Sequence, residues 1–212
     1  MDTVVDLKNV KTFLDAGINV ALPRTLKYNE VFDFIETNYH YGSYSKIFIS
    51  MGFDDIDKHL ANNLKFAKSN SCILIDVANG HMEKIVDYAK KIKTIKPEIQ
   101  IMVGNIANPE TYYWYWMHGC VDYIRIGIGN GNGCLTTKQS GIGYPMASLI
   151  YEVKQIKNKI EENQLSKTPY IVADGGMKDY SDIVKSLALG ADFVMIGSIF
   201  NKAFESSAKT LS

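Results

Sequence analysis

Cys134 follows an unbroken glycine and asparagine stretch, Gly129-Asn130-Gly131-Asn132-Gly133, which itself follows the apolar run Tyr123-Ile124-Arg125-Ile126-Gly127-Ile128. A thiol lifted on a glycine-rich loop at the carboxyl end of a strand is offered to a ligand, whereas a packing cysteine sits inside an apolar run. Glycines let backbone amides and carbonyls approach a substrate or ion closely, and the loop's carbonyls suit a monovalent cation. Thr136, two residues on, brings a hydroxyl that can handle a proton. Together these residues point to covalent catalysis by a cysteine nucleophile.

Other candidate chemistry recurs at the carboxyl ends of apolar runs: Asp76-Val77-Ala78-Asn79-Gly80, Gly104-Asn105, Asp174-Gly175-Gly176 and Gly197-Ser198. Each alone is also an ordinary turn or helix cap. In series they imply a site assembled on one face of a sheet. Asp174-Gly175-Gly176 and Gly197-Ser198 follow the last two predicted strands, where backbone amides of a barrel often cradle a phosphate and a Cβ would be in the way. Cys72, inside an apolar run, and Cys120, at a turn before a strand, read as core residues. His40, His59, His81 and His118 have no metal-ligand spacing, so a zinc site is not expected. The run Tyr112-Tyr113-Trp114-Tyr115-Trp116 covers a whole helix circumference, so some rings face the core, and the excess marks either a subunit contact, the favoured reading, or composition drift.

Short strands and helices must carry these tips. Strands are predicted over Ile18–Leu22, Lys46–Ser50, Cys72–Val77, Ile99–Val103, Tyr123–Ile128, Tyr170–Ala173 and Phe193–Ile196. Most are continuous apolar runs, as in parallel strands buried on both faces. Helical patterns lie between them, over Leu7–Ala16, Asn29–Asn38, Asp55–Lys68, Glu83–Lys96, Pro109–His118, Pro145–Asn163 and Tyr180–Leu189. Asn108-Pro109-Glu110 and Asp179-Tyr180-Ser181-Asp182 read as helix starts. Gly17, Gly119 and Gly190 stand where a left-handed cap is wanted. Uninterrupted strand–helix alternation means a parallel α/β fold. Periodicity alone leaves an open doubly wound sheet and an incomplete (β/α)8 TIM barrel of about seven strands both available. No linker or composition shift divides residues 1–212, so one catalytic domain is expected.

Lysine plus arginine equals aspartate plus glutamate, 23 each, which gives no electrostatic reason to expect nucleic acid or a membrane surface as partner. The three cysteines form no paired spacing, which favours a reducing compartment. No run approaches the ~20 apolar residues of a membrane span, and a cytoplasmic protein is expected.

The segments Asp76–Gly80, Gly129–Thr136, Gly141-Ile142-Gly143-Tyr144-Pro145, Ala173–Gly176 and Leu187–Ser198 together resemble the IMP dehydrogenase/GMP reductase family. The resemblance implies a (β/α)8 barrel, usually a tetramer, acting on a purine nucleoside monophosphate with a nicotinamide cofactor. By that likeness Cys134 is the nucleophile toward position 2 of the purine and Thr136 assists proton transfer. Asp174, Gly175, Gly176, Gly197 and Ser198 match ribose and phosphate contacts, and Asn132 stands where a phosphate-contacting serine is usual. Asp76, Val77, Ala78 and Gly129 match positions near the cofactor, and the carbonyls of Gly129, Gly131 and Cys134 match a potassium site. The forms of Asp76–Gly80 and Gly141–Pro145 lean toward the reductase branch, which uses NADPH to convert GMP to IMP. IMP dehydrogenase, with NAD, is the alternative. Thr137 replaces an expected arginine, and Gly133 an expected larger residue. The resemblance also implies that the first barrel strand and the C-terminal flap lack counterparts. Completion by a second polypeptide, a homo-oligomer, or an inactive nucleotide- or partner-binding subunit are therefore further expectations.

Overall fold

A computed structural model describes residues 4–38, 47–62, 64, 72–131, 136–163, 167–203 and 205–207. In chain order the elements are α1 (Val10–Asp15), β1 (Val20–Leu22), α2 (Tyr28–Asn38), β2 (Ile47–Met51), α3 (Phe53–Leu60), β3 (Cys72–Asp76), α4 (Glu83–Ile95) and β4 (Gln100–Ile106). They continue with α5 (Pro109–His118), β5 (Tyr123–Ile126), α6 (Thr136–Ser140), α7 (Met146–Glu162), β6 (Tyr170–Asp174), α8 (Tyr180–Leu189), β7 (Phe193–Met195) and a 3-10 turn at Phe200–Lys202.

The strands lie in one sheet in the order β1-β2-β3-β4-β5-β6-β7. β1, β2 and β3 pair in parallel, with Ile49 opposite Leu22 and Ile73. β5, β6 and β7 do the same, with Ala173 opposite Ile126 and Val194. This order decides between the two architectures that the sequence leaves open. A doubly wound sheet reverses its strand order at a switch point. Right-handed crossovers that never reverse put every helix on one side, the arrangement of the (β/α)8 barrel. The chain has that fold class, with seven strands among its described residues.

The chain divides into two compact units: residues 1–76, 87–102 and 200–212 form one, and 77–86 with 103–199 the other. In the first, β2 is buried along its whole length and Cys72 to Ile75 of β3 are buried as well. Continuous apolar runs are the price of burial on both faces. Phe13 meets Phe200 edge-on at 5.3 Å between centroids. Beside them the Asn9 amide donates to the carbonyls of Val4 at 2.9 Å and Glu205 at 2.8 Å.

In the second unit the aromatic run divides by helical phase. Tyr112 and Tyr115 are fully buried, while Tyr113 is exposed. Burial would orphan their hydroxyls, but Tyr112 donates to the Pro169 carbonyl and Tyr115 to the Gly80 carbonyl, both at 2.6 Å. Burial pushes both phenols well above their ordinary range. α5 begins with Asn108 capping the Glu110 amide and Pro109 in the first turn, and ends on Gly119 at φ +62°, as the sequence predicts. Asp179 caps α8 through the amides of Ser181 and Asp182.

Several boundaries differ from expectation. α3 starts at Phe53, two residues before the predicted Asp55, because the Asp55 carboxylate reaches back to the Gly52 amide at 3.1 Å. Asp55 is therefore a cap inside the first turn. β5 stops at Ile126, since Gly127 leaves the strand at φ +120° and turns its amide to the Ile106 carbonyl at 2.8 Å. β4 runs on to Ile106. α6 is too short to leave a periodic signal in the sequence. No helix among the described residues is long and apolar enough to cross a membrane.

Candidate active site

β4, β5 and β6 end side by side in the second unit and bring three polar side chains together. The Asn105 amide nitrogen donates to Asp174 Oδ2 at 2.8 Å and to the Gly127 carbonyl at 2.7 Å. Arg125 Nε stands 3.6 Å from the same Oδ2, with the two side chains 12% and 27% exposed. Arg125 also points a terminal nitrogen at Met195 Sδ, 3.7 Å away. A carboxylate held by an amide and a guanidinium on one oxygen is fixed in orientation and stays compatible with hydroxyl donors approaching from solvent.

Local backbone makes this convergence possible. A Cβ on Gly104 would lie 2.6 Å from the Arg125 Cβ and carbonyl oxygen, so only glycine lets β4 and β5 approach here. The Gly104–Asn105 peptide is cis. A Cβ on Gly127 would run into the Asp174 carbonyl and sit 2.5 Å from the Met146 methyl.

Gly175 and Gly176 take φ of +99° and +82°. A Cβ on Gly175 would meet the Gly131 amide at 3.0 Å, and one on Gly176 the Asn130 carbonyl oxygen at 3.3 Å. The Asp-Gly-Gly turn is thus stacked against the start of the cysteine loop. These glycines serve that close approach. The Ser198 hydroxyl donates to the carbonyl of Met177, the residue after Gly176, at 3.3 Å. Asp174, Gly175, Gly176 and Ser198 are therefore neighbours.

The loop is anchored at its other side by Thr137. Its hydroxyl donates to the Ile142 carbonyl at 2.7 Å, and it fills the space that a Cβ on Gly129 or Gly143 would need. Asn130 donates to the Tyr144 carbonyl at 3.2 Å, and the Tyr144 hydroxyl to Glu152 at 2.6 Å. Thr137, where an arginine was expected, is a compact packing residue between two glycines. Asn132 and Cys134 lie outside the described residues. Thr136 opens α6, but its side chain lies outside them too.

The predicted cofactor positions divide between the units. Asp76 belongs to the first, where its carbonyl accepts from Arg24 at 3.4 Å. Val77, Ala78 and the turn that follows belong to the second. Ala78 and Asn79 are exposed, whereas Gly80 is buried, its amide donating to the Asn105 carbonyl at 3.0 Å. Asn105 therefore touches Asp174 through its side chain and the Gly80 turn through its backbone.

In the sequence Asn105 reads only as a strand tip, and Arg125 does not stand out as a site residue. The signal was present: a lone arginine inside the apolar run Tyr123–Ile128 needs a charged partner if it is to be buried.

Comparison with known proteins bears on the family and the fold. The family model "IMP dehydrogenase / GMP reductase domain" matches residues 49–212. An inosine-5'-monophosphate dehydrogenase of Chlorobaculum parvum is 38% identical over 139 residues, covering 66% of this chain and 26% of that protein. A GMP reductase of Onchocerca volvulus is 33% identical over 157 residues, 74% of this chain and 41% of that protein. The crystal structure of inosine 5' monophosphate dehydrogenase from Legionella pneumophila superposes with a TM-score of 0.77 at 27% identity, covering 97% of this chain and 58% of that one. The chain thus spans less than half the length of these two curated relatives. On the family match and the shared fold, this chain belongs to the IMP dehydrogenase/GMP reductase family.

Proposed function

We propose that this chain is a purine nucleotide oxidoreductase of the GMP reductase type. The observation that carries the reading is Asp174, oriented by Asn105 and Arg125 beside the glycine turn stacked on the cysteine loop. A fixed carboxylate suits the paired hydroxyls of a ribose. The adjoining Gly175, Gly176, Gly197 and Ser198 offer main-chain amides to its phosphate, with Asn132 as a further contact.

In this reading the Cys134 thiolate adds to C2 of GMP, and the 2-amino group leaves as ammonia with a proton relayed through Thr136. NADPH, when bound, supplies the hydride that C2 takes as the sulfur departs, leaving IMP. The exposed Ala78 on a turn anchored through buried Gly80 fits a cofactor contact, with Asp76, Val77 and Gly129 assigned to the same role. Backbone carbonyls of Gly129, Gly131 and Cys134 are the hard oxygen donors that suit potassium.

The reductase is favoured over the dehydrogenase by the Asp76–Gly80 and Gly141–Pro145 sequences. Turnover of GMP with NADPH, followed as NADPH loss and ammonia release, tests the choice against IMP with NAD. Faster turnover of IMP with NAD makes the chain a dehydrogenase, and nucleotide binding without turnover makes it a binding subunit.

A further inference from the structure

The connection between β3 and α4 is held by a histidine that the proposed chemistry does not use. His81 Nδ1 lies 2.8 Å from Thr111 Oγ1, and the Ala107 amide points at Nε2 from 3.2 Å. A backbone N–H can only donate, so Nε2 carries its lone pair and Nδ1 the proton. The ring in this arrangement is neutral. Ala107 directly precedes Asn108, the N-cap of α5, and Thr111 lies in that helix's first turn. The imidazole therefore sits over the positive end of the α5 dipole, where a cation is disfavoured.

The same turn is tied down at neighbouring atoms. Gly80 donates to Asn105 and accepts from Tyr115, and Asn79 Oδ1 accepts from the His81 amide at 3.0 Å. The charged residues in the first turns of the flanking helices are Glu83 and Lys84 of α4 and Glu110 of α5, and Asp87, Lys90, Lys91 and Lys93 follow further along α4. The residue is exposed, and the partial desolvation its ring still meets lowers it below its ordinary value of 6.5. A second proton would set an N–H of the ring against the Ala107 N–H, replacing a hydrogen bond by a clash of donors.

We propose that His81 is a positioning residue whose neutral ring latches the Val77–Gly80 turn to the start of α5, and that protonation releases the turn. Its consequence for cofactor binding rests on the assignment of Val77 and Ala78 to the cofactor made above.

The latch is tested without cofactor by following the Ala107 amide resonance from neutral to mildly acid pH. In the wild-type chain it shifts with an inflection below 6.5. In His81→Gln, which offers one donor and one acceptor that do not titrate, it stays flat. An amide that ignores pH in the wild type, or responds equally in both proteins, overturns the latch. A parallel titration with NADPH reads the consequence. Wild-type affinity weakens by up to about tenfold per pH unit below the inflection relative to His81→Gln. If Ala107 responds to His81 but the two proteins' NADPH affinities stay parallel, the latch stands and the cofactor assignment falls.

Discussion

Asn105 Nδ2 donates to Asp174 Oδ2 at 2.8 Å, so the first polar group after the core of β4 fixes the carboxylate that ends β6. The same nitrogen donates to Gly127, and together with the Arg125 contact it leaves the carboxylate little rotational freedom. Replacing Asn105 by leucine keeps its size and its backbone bond to Gly80 while removing the donor. A hydrogen bond to a charged group contributes roughly 1.5–3 kcal/mol. We expect GMP affinity to fall by about tenfold or more, read by calorimetric titration. Unchanged affinity would detach Asp174 from the nucleotide.

Gly175 and Gly141 separate crowding from backbone conformation. Both have positive φ, but only at Gly175 would a Cβ meet other atoms, with the Gly131 amide 3.0 Å away and nothing within 4 Å of Gly141. Gly141→Ala should cost about 1–2 kcal/mol from the left-handed conformation alone. Gly175→Ala should cost more and weaken nucleotide binding, because the cysteine loop must shift. Thermal unfolding of the two variants checks the order, and equal losses would mean the loop does not rest on this turn.

A buried lysine gives a test of stability away from the site. Lys157 Nζ lies 2.7 Å from Asp192 Oδ2 with its side chain 6% exposed, and the same oxygen accepts the Ile171 amide at 2.7 Å. Lys157→Met leaves a partly buried carboxylate without its cation and should cost about 2–3 kcal/mol, reduced from a fully buried pair because Asp192 is 25% exposed. Asp192→Asn in the Lys157→Met background keeps an acceptor for Ile171 and should recover part of that loss. Strictly additive losses in chemical denaturation would contradict a charge-pairing role.

Tyr88 adds a pH dependence of opposite direction to that of His81. Its hydroxyl donates to Asp57 at 2.6 Å, and this bond, aided by burial, pushes the phenol up to about 12 from 10.0. Between those values the unfolded chain gives up its proton first, so stability falls as pH rises from about 10 to about 12. Tyr88→Phe should flatten that part of the stability curve. A curve of unchanged slope would mean that Tyr88 does not hold its proton in the fold.

Chemistry written in contiguous residues was legible in the sequence, and chemistry made by packing was not. Asn108-Pro109 and Gly119 bracket α5 because caps are local. Asp174-Gly175-Gly176 stood out because few sequences other than a strand tip combine those residues. Arg125 did not, because its partner on β6 becomes adjacent only when β5 and β6 pair through Arg125 and Val172. Thr137 looked like a missing arginine, and only the crowding at Gly129 and Gly143 explains its size. Strand order was equally hidden, since periodicity cannot report whether successive crossovers reverse.

The most direct measurement is peptide mapping by mass spectrometry after incubation with GMP. The account predicts a purine nucleotide adduct on Cys134 that NADPH discharges as IMP. The adduct should be absent from Cys134→Ala, with the buried thiols Cys72 and Cys120 unmodified as internal controls. No adduct in a preparation that binds GMP, or the same adduct persisting in Cys134→Ala, would contradict it.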